Sequence, residues 1–178
     1  SHRVGYLPVF KGYNDTPGER FVNPLIRLVN KLFKKNEPER HSNPIYEYGY
    51  VSGTRRTVLE DFEGGYYGSN AFREPHSKFF EGKLLKGETV YMEIVGFTHT
   101  GIPIMPNADN QKTKDKEFIK KYGKTTVFSY GMNPSESDIY VYRMTMTNED
   151  GDVIEYSPDF MRYRCEQIGV KTVPVLWE

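Results

Sequence analysis

The sequence predicts an α+β domain in which mostly antiparallel sheets are combined with a few helices, about three in number. Several segments alternate apolar and polar residues with the period of a strand, and residues 138–147, DIYVYRMTMT, are interpreted as a strand of strict alternation. Two other segments open with a polar residue followed by proline, Asn23-Pro24 and Ser157-Pro158, which is typical of a helix start. Strands and helices follow one another in mixed order, as in an α+β domain.

The predicted strands are alternating or β-branched runs that are bounded by turn residues. A Ser52-Gly53 turn interrupts the second of them, and the NEDGD sequence at 148–152 predicts a hairpin turn between the last two. The predicted strands are 3–10, 45–59, 86–97, 124–131, 138–147 and 153–157, and residues 170–178 close the chain as an extended segment.

The predicted helices have apolar residues at helical spacing. In residues 25–35 the apolar side chains share one face, so we expect this helix to dock through that face and to leave its basic polar face in solvent. A second helix, 113–123, ends at a glycine. A third follows the cap Ser157 and ends at Gly169.

The remaining segments are polar or rich in glycine and are predicted as loops. They are residues 10–24, 36–44, 60–80 and 98–112. Within a single domain over 1–178, segments 11–44 and 60–80 are predicted to be insertions or mobile loops.

Composition narrows the class of protein. The chain has 178 residues, and its 24 Lys and Arg balance its 24 Asp and Glu, which argues against nucleic-acid binding by bulk charge alone. One cysteine allows no intrachain disulfide, so we expect a reducing, cytoplasmic location. No apolar run approaches the roughly 20 residues of a membrane span, and no signal peptide is present, so no membrane association is expected.

Glu93 is the first candidate for a functional residue. It lies in the stretch VYMEIVGF, where it shares a predicted strand face with Tyr91 and Val95, while Met92 and Ile94 face the other way. A glutamate at such a position is usually a solvated residue on the outer face of a sheet. Alternatively, the carboxylate points into a site that needs negative charge.

Two pairs of neighbouring residues are further candidates. Arg55 and Arg56 follow the Ser-Gly turn, and since adjacent strand residues point to opposite faces, at most one of them points into a site. Arginine suits bidentate contacts to phosphate, although a solubilising surface pair is the commoner role. Tyr140 and Tyr142 share one predicted face, opposite Arg143, and either ring could stack on a base or pack in the core.

Other reactive side chains do not form a recognisable site in the sequence. The four histidines (His2, His41, His76 and His99) lack the spacing of metal ligands, and no metal site is predicted. Cys165 lies among apolar neighbours of a helix and is expected to be packing. Lys120 and Gly123 have the spacing of a Lys-x-x-Gly nucleophile motif. Both, however, occupy a predicted helix end, where basic residues and glycine are common.

The candidate motifs, taken in order, resemble the central part of the adenylyltransferase domain of ATP-dependent RNA ligases of the bacterial and phage type. VYMEIVGF resembles the third motif of that family, with Met92 in place of its usual glycine. GTRRTVL at 53–59 resembles the arginine segment after the nucleophile strand, and DIYVYRMT resembles the motif whose aromatic packs on adenine. The segments at 101–131 and 151–176 are similar to the regions that follow the glutamate and aromatic motifs in the family.

The resemblance implies a fold and a reaction. The fold is the nucleotidyltransferase (ATP-grasp-like ligase) domain of covalent nucleotidyltransferases. A lysine attacks the α-phosphate of ATP, AMP moves to the 5′-phosphate of RNA, and a 3′-hydroxyl displaces AMP to seal the strand, with Mg²⁺ offsetting phosphate charge. The implied partner is RNA with 5′-phosphate and 3′-hydroxyl ends, in a bacterial or phage-infected cell, and a role in RNA repair fits this chemistry. A monomer is expected.

The resemblance also implies site residues. Glu93 matches the glutamate near the ribose and metal, and Arg56 is preferred over Arg55 as the arginine on the nucleotide or 5′-phosphate. Tyr142 is preferred over Tyr140 as the adenine-stacking aromatic. Ser1 matches the end of the nucleophile motif, so the lysine is expected just before it and the later motifs after the end of the chain.

Three alternatives stay open at this point. The chain could be an inactive fragment, an RNA-binding or scaffold module without catalysis, or part of a related nucleotidyltransferase such as a DNA ligase or a capping enzyme. RNA binding that needs no ATP and is sensitive to salt would favour the module.

Overall fold

The structure, a computed structural model, describes residues 1–175 and divides into two compact units. Leu7–Gly49 forms one unit, and Ser1–Tyr6 with the described chain from Tyr50 onward forms the other. Segment 11–44, predicted as an insertion, lies within the first of these units. The single domain over 1–178 stays a prediction.

The main sheet has six strands in the order β3-β2-β1-β4-β7-β8. The pairs β1–β4, β4–β7, β7–β8 and β2–β3 are all antiparallel, so the predicted α+β class with a mostly antiparallel sheet is confirmed. A second sheet pairs β5 with β6. The strands are β1 His2–Tyr13, β2 Pro44–Gly53, β3 Val58–Leu59, β4 Glu88–Gly96, β5 Ala108–Asp109, β6 Thr125–Thr126, β7 Ser137–Thr147 and β8 Val153–Glu155.

Four α-helices accompany the sheets among the described residues, one more than predicted. They are α1 Pro17–Phe33, α2 Glu74–Phe79, α3 Lys116–Tyr122 and α4 Pro158–Ile168. The end signals of the last two were predicted correctly, because Gly123 follows α3 and Ser157 caps α4 through its hydroxyl.

Two predicted segments differ in the structure. The 60–80 segment, predicted as an irregular loop, contains a 3₁₀ turn at Ala71–Arg73 and the short helix α2. The strand predicted at 124–131 is only two residues long. Among the described residues β6 pairs with the two-residue strand β5, so the β-branched run of 124–131 has no longer strand beside it.

Helix α1 begins earlier than predicted. The Thr16 hydroxyl accepts from the amide of Glu19, and the Glu19 carboxylate accepts from the amide of Thr16, which completes a capping box. This cap satisfies two free amides at the helix start. Pro24, predicted to open the helix, therefore lies inside it.

The polar side of α1, rather than its apolar side, packs against the 37–40 segment of the same unit. The Asn23 amide exchanges two hydrogen bonds of 2.8 Å with the backbone of Arg40, and Asn30 exchanges two of 2.9 Å with that of Glu37. Asn23 is 1% exposed, whereas Phe21 is 71% exposed. The expectation that this helix docks through its apolar face was wrong, because its asparagines bind the 37–40 backbone.

The hydrophobic core of the larger unit lies on one face of the sheet. The α4 side chains Met161, Cys165 and Ile168 follow one another at intervals of four and three residues and are buried there. Burial raises the pKa of the Cys165 thiol to about 11, which agrees with its predicted packing role. The other buried members are Val4, Phe72, Phe80, Leu84, Val90, Met92, Ile94, Ile139, Val141 and Met144.

A buried ion pair connects α4 with the first residue of β4. The Glu88 carboxylate is fully buried, and Arg164 donates to its two oxygens over 2.7 and 3.0 Å. The amide of Leu85 and the hydroxyl of Tyr156 donate to the same carboxylate. Arg164 also donates to the carbonyl of Lys83. The hydrogen bond to Glu88 raises the pKa of Arg164, so its guanidinium stays charged at neutral pH.

In the part of the chain described by the structure, no helix is long and apolar enough to cross a membrane.

We expect Arg164→Ala to lower the free energy of unfolding by about 3–5 kcal/mol, because it leaves the Glu88 carboxylate buried and unpaired. The matched control is Arg162→Ala on the same helix, which removes an exposed ion pair with Asp159 and should cost no more than about 1 kcal/mol. Urea denaturation followed by circular dichroism measures both. Equal losses for the two variants would contradict the structural importance of the Glu88 pair.

Candidate functional site

An open cavity of about 270 Å³ lies on the sheet face opposite the core, within the larger unit. It combines a tyrosine pair with three arginines contributed by separate segments of the chain. Its lining residues are Ser1, His2, Arg3, Thr54, Arg55, Tyr91, Tyr142 and Arg143.

Strand β4 alternates between the core and the cavity. Met92 and Ile94 are buried in the core, whereas Tyr91 and Glu93 point to the other face and are partly exposed. The face assigned to Glu93 from sequence is therefore confirmed. Its Oε2 lies 2.9 Å from the backbone nitrogen of Ser1, so two predicted site residues 92 positions apart are in contact.

Strand β7 contains a β-bulge at the cavity. Tyr91 pairs with Arg143 and Met92 pairs with Val141, which leaves Tyr142 without a partner in the register. Val141 and Met144 are both fully buried, so both residues between them lie on the cavity side. The predicted strict alternation, which placed Arg143 opposite Tyr142, was wrong because the bulge shifts the phase.

Tyr142 is 40% exposed and lines the cavity, which leaves part of its ring open to a ligand. Burial and, after it, the Glu93 carboxylate raise the pKa of Tyr142, so its hydroxyl stays protonated at neutral pH. Tyr140 pairs with Glu93 across the strands but does not line the cavity. The Lys171 ammonium lies 5.7 Å from the centre of its ring.

The predicted Ser52-Gly53 turn was wrong because both residues belong to β2, and Arg55 and Arg56 lie in the turn after it rather than on opposite faces of a strand. The Thr54 amide donates to the Thr57 carbonyl over 2.8 Å, and this tight turn follows β2. Arg55 lines the cavity, and Arg56 does not. Ser1, Arg55 and Tyr142 thus line the cavity, and Glu93 contacts Ser1 without lining it. Arg56 and Tyr140 lie outside the lining.

The sequence reasoning missed three arginines near the site. Arg3 and Arg143 line the cavity, and the Arg73 side chain donates to the carbonyl of Ser1 over 3.0 Å. Burial lowers the pKa of Arg73, while the nearby Glu93 carboxylate raises it. The sequence did contain a signal for Arg143. The apolar residues of this segment lie at 139, 141, 144 and 146, so the apolar–polar alternation changes phase between Val141 and Met144.

His2 lines the cavity but is 1% exposed. Its Nε2 lies 2.8 Å from the Ser77 hydroxyl, at hydrogen-bond distance. Burial and the neighbouring Arg73 lower the pKa of His2 to about 3, so the imidazole is neutral at physiological pH. Its role in the site is to hold α2 against β1 rather than to carry charge.

The arginines and tyrosines of the site suit an anionic ligand that carries an aromatic group better than they suit a bare metal ion. No group of three or more His, Cys, Asp and Glu residues suited to a cation exists within residues 1–175. Glu93, whose side chain is 44% exposed, offers one carboxylate. This fits Mg²⁺ that is held by one carboxylate together with substrate phosphates and water.

Comparison with known proteins gives no match with a family model, a curated protein or a solved structure.

We expect the stability of the protein to fall as the pH drops below about 6.5, with His2 contributing about 1.4 kcal/mol per pH unit. The folded pKa lies below the unfolded value, so between them the unfolded chain binds one proton more. His2→Gln should remove this contribution between about pH 6.5 and pH 5, as read from urea denaturation at each pH.

The matched control is the exposed His99→Gln, which leaves the buried imidazole in place. An identical pH slope in the wild type and in His2→Gln would show that His2 does not produce the acid sensitivity.

Proposed function

We propose that this chain forms the nucleotide-binding part of an ATP-dependent RNA ligase, in the nucleotidyltransferase fold that the sequence resemblance implies. The observation that carries the proposal is the cavity lined by Ser1, Arg55 and Tyr142, with the Glu93 carboxylate in contact with Ser1 at its edge. These residues belong to four separate motifs of the resemblance. Their approach to one another supports a common ligand.

Tyr142 stacks on the adenine ring in this proposal. A partly exposed tyrosine at the edge of a cavity accepts the face of any base, so the shape of the cavity and its polar groups decide which base is held. The bulge supports this role because Tyr142 is the extra residue of β7, without a partner in the β4–β7 register, and its side chain lines the cavity.

Arg55 contacts the phosphate of the nucleotide, and Glu93 accepts hydrogen bonds from the ribose. A guanidinium donates two parallel hydrogen bonds to a phosphate, which fixes its orientation. When bound with ATP, Mg²⁺ offsets the phosphate charge, and Glu93 is the carboxylate that would hold it.

The proposed reaction has three balanced steps. The nucleophilic lysine that the resemblance implies attacks the α-phosphate of ATP through its amine, and pyrophosphate leaves. An oxygen of the RNA 5′-phosphate then attacks the lysine-bound phosphorus and releases the lysine, which gives a 5′-adenylylated RNA. Finally, a 3′-hydroxyl attacks the RNA phosphorus, AMP leaves, and a phosphodiester bond is formed.

The adenylylated RNA of this reaction gives the sharpest test of the proposed function. We expect the chain to bind 5′-adenylylated RNA about tenfold more tightly than the same RNA with a 5′-hydroxyl, and ATP to compete with it. Tyr142→Ala should remove this preference because base stacking is lost. Fluorescence anisotropy with a 3′-labelled RNA measures these affinities.

The matched control is Tyr163→Ala, which removes an exposed tyrosine on α4, away from the cavity lining. Equal binding of both RNAs, with no effect of ATP and a strong dependence on salt, would replace the ligase proposal with an RNA-binding module.

The arginine register gives a separate test. We expect Arg55→Gln to weaken ATP binding about tenfold, because a charge-assisted hydrogen bond to phosphate is lost. Arg56→Gln removes the same charge one residue away, outside the cavity lining, and should change binding by less than about twofold. Isothermal titration calorimetry measures both. The reverse order of effects would assign the phosphate contact to Arg56.

A further inference from the structure

We propose that Arg3 and Arg143 form a second phosphate-binding position in the cavity, beside the Tyr91 ring. This inference rests on the proposed function for the identity of the ligand, which is a phosphate group attached to a nucleotide. Two sources share this chemistry, namely the polyphosphate tail of a nucleoside triphosphate and the 5′-phosphate end of an RNA strand.

Three neighbouring strands place the two arginines in one row. Arg3 of β1 pairs with Tyr91 of β4, and Tyr91 pairs with Arg143 of β7. Residues directly opposite one another in antiparallel strands point to the same face, about 5 Å apart at Cβ. The Arg143 guanidinium carbon lies 4.8 Å from the centre of the Tyr91 ring. The two side chains therefore flank one aromatic ring.

The bulge in β7 is what places Arg143 at the cavity. Regular alternation from Val141, which is fully buried, would put Arg143 in the core beneath the sheet. The extra residue reverses the phase, so that Met144 fills the core and Arg143 lies above Tyr91. A core position would be costly for a guanidinium without a charged partner.

Arg3 has space at the cavity because residue 53 is a glycine. A Cβ atom at this position would lie 2.9 Å from Arg3 Nε and 2.9 Å from the Thr57 carbonyl oxygen. The carbonyl belongs to the turn that carries Arg55 and cannot move freely. The glycine thus allows the Arg3 side chain to lie against the end of β2, next to the turn with the third arginine.

Within residues 1–175, the arginines that line the cavity are only weakly paired with carboxylates. Arg143 has one carboxylate neighbour, Glu155 at 3.2 Å, and both side chains of this pair are substantially exposed, so the pairing is weak. Within residues 1–175, Arg3 and Arg55 form no ion pair. Glu93 is the carboxylate that lies beside the cavity at Ser1.

The positive charge of Arg3, Arg55 and Arg143 exceeds what a single nucleotide phosphate requires. A phosphate diester or phosphoramidate carries one negative charge, which Arg55 alone can match, whereas a terminal phosphate carries about 1.5 to 2 negative charges. Arginine is suited to such groups because its planar fork donates two hydrogen bonds at once. The Arg3 and Arg143 pair therefore fits a terminal phosphate better than a second base or an acidic side chain.

The experiment compares ligands that differ only in phosphate, by isothermal titration calorimetry with the whole chain. The ligands are adenosine, AMP, ATP, inorganic pyrophosphate, and one short RNA with a 5′-phosphate or a 5′-hydroxyl. The variants are Arg3→Gln, Arg143→Gln and their combination. Arg20→Gln, which removes one exposed positive charge from the Leu7–Gly49 unit, is the control.

We expect the double variant to lose at least about tenfold in affinity for pyrophosphate and for ATP or the 5′-phosphorylated RNA, while the binding of adenosine and of AMP is little changed. Loss of the preference for ATP over AMP would assign the position to the triphosphate tail. Loss of the preference for the 5′-phosphorylated RNA would assign it to the strand end. Arg143→Lys should lose part of the affinity, since it keeps the charge but not the fork.

The inference is overturned if the double variant, with wild-type circular dichroism and melting temperature, binds pyrophosphate and both phosphorylated ligands as tightly as Arg20→Gln does. Failure of the proposed function gives a different result. In that case the wild type binds pyrophosphate through the arginines but shows no affinity for adenosine or for adenylylated RNA.

Discussion

The Glu88–Arg164 ion pair constrains how the elements of the larger unit come together. A carboxylate that is removed from water is tolerated only when charged and polar groups replace its hydration. Glu88 meets this requirement with Arg164, Tyr156 and the amide of Leu85. The strand β4, the helix α4 and the end of β8 must therefore come together at one point. Burial and the Glu88 charge also raise the pKa of Tyr156, which keeps its hydroxyl a donor.

The same strand that is fixed by Glu88 carries the candidate site. Tyr91 and Glu93 follow Glu88 by three and five residues, on the face away from the core. β7 is fixed beside β4 because Val141 and Met144 both fill the core. In a regular strand these two residues, three positions apart, would point to opposite faces. A bulge is the way in which an antiparallel pair absorbs one extra residue. The demands of core packing thus produce the two cavity side chains Tyr142 and Arg143.

Helix α1 shows that an amphipathic pattern does not by itself determine which face is buried. Its buried face is formed by Glu19 and Asn23, and Asn30 continues the row of backbone contacts. Each asparagine satisfies one amide and one carbonyl of the 37–40 segment, whose backbone would otherwise depend on water. Backbone hydrogen bonding outweighs the burial of apolar area in this unit. The hydrophobic period predicted the helix, whereas the asparagines determined its orientation.

The sequence alone predicted the α+β class, the end of α3 at Gly123, the cap of α4 at Ser157, the amphipathic period of α1 and the face of Glu93 on β4. These features depend on neighbouring residues, whose spacing is visible along the chain. Which distant residues meet depends on the tertiary fold. Arg164 pairs with a glutamate 76 positions away, and Arg3, Arg55 and Arg143 reach one cavity from three strands or turns. Strand order and register decide such contacts, because a shift of one residue turns every side chain to the other face.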